Sequence, residues 1–323
     1  MKTFKLIQNL LDPVILFFVL GIVSGLIKTE LKLPEAIYDA LSIYLLIAIG
    51  IKGGIELSKT HIPDVLIPVA GTVFLGIIIP VIAFFILRKL GKFNSADSSA
   101  IAAHYGSVSA VTFAIAIEFV NKSGIVYNEF MTLLLVVLEV PAIAIGILLA
   151  RFSNTEKNTD IKSLFREVFF GKSIFLLIGG LIIGYSAGTF NNLAIKNLFI
   201  DLFKGFLAFF LLEMGIIASK RFKDFKKVGI FLIIFGITMP LISAVIGILI
   251  GKLTGLNEGG TFILSCMAAS ASYIAAPTAM RIAVPEANPT YYITASLGIT
   301  FPFNIIFGIQ IYYYLTVEAF KIF

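Results

Sequence analysis

Apolar runs long enough to cross a membrane recur along the whole chain, separated by short polar or charged stretches. A transmembrane helix needs roughly 20 mostly apolar residues. On that length the runs predict spans at 13–27, 35–51, 64–88, 96–120 and 128–151. After a polar stretch the pattern resumes at 170–188, 196–218, 228–251, 257–283 and 288–316. The expectation is an all-α polytopic membrane protein of about ten transmembrane helices. Pro34, Pro63 and Pro289 fall near predicted helix starts, where the missing N–H of proline costs little. Gly21 and Gly25 give the short first span the spacing that lets two helix backbones approach. Leu11–Ile27 lacks a small-residue cleavage site and is followed by further spans, so it reads as a span and not as a removed leader.

Two stretches interrupt the apolar pattern with small and hydroxyl-bearing residues: His104–Thr112, HYGSVSAVT, in the fourth span, and Ser265–Thr278, SCMAASASYIAAPT, in the ninth. Irregular backbone is tolerated at membrane depth only where protein or a water-filled cavity covers it. Interruptions in corresponding spans of two halves are the sequence signature of a transporter binding site. The halves correspond at an offset of about 160 residues: Gly54 with Gly215, Pro80 with Pro240, Gly91 with Gly251. Ser107–Ser109 then aligns with Ser270–Ser272, and Glu139-Val-Pro141 with Thr300-Phe-Pro302. The longest hydrophilic connection, Arg151–Lys172, divides the chain near its midpoint. This gives a first repeat at 1–152, a linker at 153–169 and a second repeat at 170–323. Five spans are an odd number, so the second repeat would run inverted to the first, a 5+5 inverted repeat with its site between the halves.

Composition removes the soluble alternatives. Of 323 residues, 59% are hydrophobic and 14% charged, and the mean hydropathy is +1.00; soluble domains are nearer a quarter charged. The net charge of +6 does not point to nucleic acid, because Lys and Arg sit in short clusters between apolar runs. Lys28, Lys32, Arg88, Lys89, Lys92, the linker, the cluster from Lys220 to Lys227 and Arg281 fall on one side. Lys2, Lys5, Lys59, Lys122, Lys196 and Lys252 fall on the other. The positive-inside rule puts the first set in the cytoplasm and both termini outside. The lone Cys266 permits no intrachain disulfide and sits in an apolar run as a packing residue.

Ionisable groups inside spans are functional candidates by default. Glu139 is the deepest acid, just before Pro141; it reads as a cation ligand or proton carrier, or as a neutral carboxyl bonded to a neighbouring helix. Glu213 reads as a helix-end charge near Lys220, and Glu118 as interfacial. Lys52 either snorkels to the interface or points inward, its ammonium taking the place of a coupling cation. His104 reads as a histidine bonded within its helix, or as a substrate-facing, pH-sensitive one. Ser107, Ser109, Ser270 and Ser272 lack the adjacent base and orienting acid of a nucleophile, and there is no phosphate-binding glycine motif. No enzyme and no cofactor are expected. Hydroxyls beside a helix break suit ion binding instead, since free N–H groups and the positive helix end hold an anion, and carbonyls and hydroxyls hold Na+.

At these residues the chain resembles the sodium-dependent bicarbonate transporters. The likeness is carried by LPEAIYDALSIYLLIAIGIKGG, YGSVSAVT, LEVPA at Glu139 and PTAMRIAVPEANPTYYITASLGIT from Pro277 to Thr300. It implies fourth and ninth helices that break and cross, a core domain moving against a scaffold, a homotrimer, and a small anion held at the crossing with Na+ nearby. The resemblance assigns anion contacts to Gly106, Ser107, Ser109, Ser270, Ser272 and Tyr273. Ser109, Thr112, Glu139, Ser272 and Lys52 are the candidates for the cation or its coupling. It also implies a cytosolic regulator of the PII type. The chain departs from the family pattern where Tyr273 replaces an acid, Ala110 and Val111 replace glycine and serine, Lys52 replaces threonine and Glu139 replaces aspartate. Sodium-coupled bicarbonate uptake is the first expectation; a sodium-independent or proton-coupled carrier of another small anion, and a non-transporting membrane sensor, are the alternatives.

Overall fold

The computed structural model describes residues 12–29, 31, 33–153, 171–187 and 196–322. Most of the midpoint linker, Lys2, Lys5 and Lys32 lie outside the described residues. The described residues are helical throughout, joined by short turns. Among the described residues six apolar helical runs are long enough to cross a membrane, and Pro13–Leu26 and Ile174–Ala187 are shorter apolar helices.

The first helix, α1 (Pro13–Leu26), starts with proline at its first position and Asp12 as N-cap, whose Oδ1 accepts from the Val14 N–H at 2.9 Å. Its 14 residues reach about 21 Å. α2 (Glu35–Leu57) runs two turns past the predicted end at residue 51, so Lys52 and Glu56 lie on the helix. α3 (Pro63–Lys89) carries Pro68 and Pro80 internally, and the Thr72 hydroxyl donates to the Pro68 carbonyl at 2.8 Å.

The predicted fourth span is two helices, α4 (Ser95–Gly106) and α5 (Ala110–Ser123), separated by Ser107–Ser109. α4 is capped by the Asn94 side chain, and α5 ends on Gly124 at φ 65°, a left-handed turn that returns the Ile125 N–H to the Val120 carbonyl. α6 (Met131–Ser153) continues through Pro141. α7 (Lys172–Ala187) and α8 (Phe203–Arg221) follow, and a 3-10 turn at Phe222–Asp224 leads into α9 (Phe225–Leu253). The predicted ninth span is likewise broken, into α10 (Glu258–Ala268) and α11 (Ala275–Ala283). The last run, α12 (Pro289–Ile322), contains wide π turns at Thr294–Thr300 and Asn304–Gly308.

The helices pack in two groups. In one, α1 lies against α8 and α2 against α7, and α2 also touches α8. In the other, α3, α4 and α6 pack on one another, and α9 packs on α10 and α12. Glycines set the spacing in the first group: a Cβ at Gly21 would lie 2.0 Å from the Leu212 carbonyl oxygen, and one at Gly215 2.2 Å from that of Phe18. Between α2 and α7, a Cβ at Gly54 would lie 2.1 Å from the Leu181 oxygen, and one at Gly184 2.1 Å from the Ile51 oxygen. Small residues that let backbones touch are the main source of helix adhesion in lipid, where apolar side chains gain little by leaving their surroundings.

Gly215→Val should therefore force α1 and α8 apart at a cost of about 1–3 kcal/mol, and lower the thermal midpoint of the detergent-solubilised protein. Gly179→Ala is the control, since a Cβ there meets nothing within 4 Å; a midpoint that falls equally for both would refute the close-packing account.

Candidate functional site

The two helix breaks meet, and each supplies what the other lacks. The Ser109 N–H donates to the Ser270 Oγ at 2.9 Å, and the Ser272 N–H donates to the His104 carbonyl at 2.8 Å. One bond runs in each direction between the breaks. The Ser270 hydroxyl in turn donates to the Met267 carbonyl at 2.7 Å, closing the last turn of α10.

Each new helix then starts beneath a serine. Ser109 is the N-cap of α5, its Oγ accepting from the Thr112 N–H at 3.2 Å. The Ser272 Oγ accepts from the Ala276 N–H at 3.2 Å in the first turn of α11. A helix start leaves up to four N–H groups without intrahelical partners and carries roughly half a positive charge. Both helix starts front one small cavity of about 10 Å³, lined by Val108, Ser109 and Ala110 on one side and Ser272, Tyr273 and Ile274 on the other. Leu46 of α2 and Glu139 of α6 close it.

Four of the sequence candidates thus converge: Ser109, Ser272, Tyr273 and Glu139. Glu139 is 4% exposed and has no ion pair among the described residues. A buried carboxyl beside two positive helix ends can take a cation or a proton. The Tyr273 ring stands edge-on to Phe301 at 5.0 Å, and its buried hydroxyl has no hydrogen-bond partner among the described residues.

The other candidates are placed differently. Gly106 lets α4 pass α3, since a Cβ there would lie 2.6 Å from the Pro80 ring. The Ser107 and Thr112 hydroxyls are buried without partners among the described residues, and neither residue lines the cavity. Ser270 is spent on the bond to Ser109. His104 takes the bond within its own helix, Nδ1 lying 2.6 Å from the Ala100 carbonyl, and its ring stacks on Tyr292. Lys52 lies in a second cavity, away from Ser109 and Glu139.

Near the end of α5, Glu118 is buried and paired with the exposed Lys204. One expectation is corrected. Glu213 is not a helix-end charge, because it lies inside α8, buried, and its Oε2 accepts from the Leu33 N–H at 3.3 Å.

Sequence reasoning passed over the residues that hold the second break in place. The Asn304 Nδ2 donates to the Ala269 carbonyl at 2.9 Å, and its Oδ1 accepts from the Tyr312 hydroxyl at 2.6 Å. Thr300 joins α4 to α9: its hydroxyl donates to the Gly236 carbonyl at 2.7 Å and meets the Tyr105 hydroxyl at 2.6 Å. An uncharged amide in the apolar run FPFNIIFGI was the available signal.

These features define a helical membrane protein with two broken helices meeting at a buried polar cavity. Comparison with protein families gives a match to the Na+-dependent bicarbonate transporter superfamily over residues 13–317. The chain belongs to that superfamily. No individually curated protein matched it significantly.

Asn304→Leu should lower the thermal midpoint more than Tyr312→Phe, because it orphans the Ala269 carbonyl and the Tyr312 hydroxyl together. An unsatisfied buried group costs about 1–3 kcal/mol. Equal midpoints for Asn304→Leu and wild type would show that the break does not depend on this amide.

Proposed function

We propose that the protein is a secondary active transporter that takes up bicarbonate together with Na+, binding both at the crossing of the two helix breaks. The observation that carries this reading is the cavity itself: two helix N-termini, two serines and an unpaired buried carboxyl meet at one point. Helix N-termini with hydroxyls suit a small oxyanion, and a carboxyl beside it suits the coupling cation. Family membership supports both ions.

At about 10 Å³ the cavity admits one water-sized occupant, so bicarbonate requires its walls to part. Two groups of helices offer a way. The glycine-paired helices α1, α2, α7 and α8 would act as scaffold, and the group carrying the breaks would move against them. The pairing supports a 5+5 inverted repeat: α2 packs on α7 as α8 packs on α1, and the matched Gly54 and Gly215 each lie at such a close approach. On the same reading the protein lies in the bacterial inner membrane with both termini outside. A homotrimer and a PII-type regulator remain part of the proposal through the family resemblance.

A second reading is favoured by the replacement of an acid by Tyr273. That leaves Glu139 as the one carboxyl lining the cavity, and a proton on it would serve as the coupling cation for bicarbonate or another small anion.

Purified protein in sealed liposomes should accumulate labelled bicarbonate under an inward Na+ gradient and not when choline replaces Na+. Glu139→Gln should reduce uptake roughly tenfold or more, as expected for losing a charged contact of about 1.5–3 kcal/mol. Absence of accumulation in vesicles of confirmed orientation would sink the bicarbonate reading, and equal uptake in Na+ and choline would select proton coupling.

A further inference from the structure

A larger cavity, about 320 Å³, opens beside the last turns of α2 and between α2 and α5. Lys52, Glu56 and Lys59 line it, and the spacing i, i+4, i+7 puts all three on one helical face. Lys52 is half-buried, its Nζ 4.2 Å over the Phe203 ring, and no carboxylate lies within ion-pair distance among the described residues. Lys59 is exposed at the rim.

The acidic groups around it are accounted for. Glu56 accepts from the Tyr127 hydroxyl at 3.2 Å, and Glu118 is paired with Lys204. Asp201 and Glu129 are solvent-exposed, where water and salt screen them. Two cations therefore face the cavity against the one carboxylate of Glu56.

The cavity leads toward the site. Ile49 and Ala114 line it and also line a gap of about 10 Å³. Leu46, Ala110 and Ile274 line that gap and also line the cavity at the helix breaks. Three spaces in series are thus separated by an apolar collar.

We propose that the large cavity is an anion vestibule, in which Lys52 captures the incoming anion, Lys59 draws it to the rim, and the collar of Leu46, Ile49, Ala114 and Ile274 is the closed barrier to the site. The proposal rests on the transport reading above. A positively lined cleft with low-dielectric walls concentrates anions and speeds their arrival, and salt weakens the effect. The benefit appears at low substrate concentration, so it falls on KM more than on maximal rate.

Two measurements test it. In liposomes, Lys52→Gln should raise the KM for bicarbonate roughly threefold to tenfold and flatten its dependence on ionic strength, while Lys52→Arg retains both. An unchanged KM and salt dependence overturns the vestibule, as does a loss confined to maximal rate. The second measurement does not require transport. Lys52→Cys should react from solvent with a membrane-impermeant, negatively charged methanethiosulfonate, and Lys59→Gln should slow that reaction more than reaction with a neutral reagent. Native Cys266 is fully buried, which makes wild type the blank. If wild type takes up no bicarbonate, the transport reading fails and labelling still decides the vestibule; a Lys52→Cys thiol that stays unlabelled refutes it.

Discussion

Backbone N–H and C=O groups cost several kcal/mol each when left unpaired in hydrocarbon, so a transmembrane helix can be broken only where something takes up the bonds it gives away. In this protein the two breaks take up each other's. The His104 carbonyl, freed by the end of α4, receives the Ser272 N–H, and the Ser109 N–H ahead of α5 goes to Ser270. Neither break is satisfied without the other. The site is therefore a consequence of how the backbone is satisfied, and the serines serve first as hydrogen-bonding parts of the chain. Ser109 and Ser272 do both jobs: each holds an N–H of the helix it starts and each lines the cavity.

The same constraint separates the helices into two kinds of contact. Gly21 and Gly215 bring α1 and α8 together backbone to backbone, and Gly54 and Gly184 do so for α2 and α7. Such contacts have little freedom to slide, because each glycine sits over a carbonyl. Where α2 faces α5, by contrast, the seam is bordered by the side chains of Leu46, Ile49, Ala110 and Ala114, and gaps remain along it. Side-chain contacts of this sort can be exchanged at small cost, and this seam runs directly beside the candidate site.

The apolar runs made the helices legible in the sequence, and the small hydroxylated stretches made the breaks legible, since few other roles place SVS and SAS at membrane depth. Glu139 was legible for the same reason: a lone acid in an apolar run is costly. What periodicity and composition could not give was direction. Lys52 stands one residue beyond an apolar run, but α2 continues past it to Leu57, and there it lines a cavity. Glu213 looked like a helix-end charge because Lys220 is close in sequence, whereas it lies inside α8 and its hydrogen bond comes from Leu33, 180 residues away. Asn304 was missed, and Thr300 was noted only as a landmark of the repeat, because an uncharged polar residue is a weak signal. Their value lies entirely in which carbonyls they reach, those of Ala269 and Gly236.

Charge at the cavity gives a physical reason for coupling on the proposed reading. Two helix N-termini contribute roughly half a positive charge each, about one in total. An ionised Glu139 cancels that, and a monovalent anion reaching the cavity then gains little from the helix ends. A cation on the carboxyl, whether Na+ or a proton, restores the positive field and makes the anion welcome. Anion and cation therefore favour one another's binding through Glu139 without direct contact, and by linkage the effect is reciprocal. A second carboxylate in place of Tyr273 would demand a second cation for the same field. With tyrosine there, one cation per anion is the stoichiometry the site's charges favour.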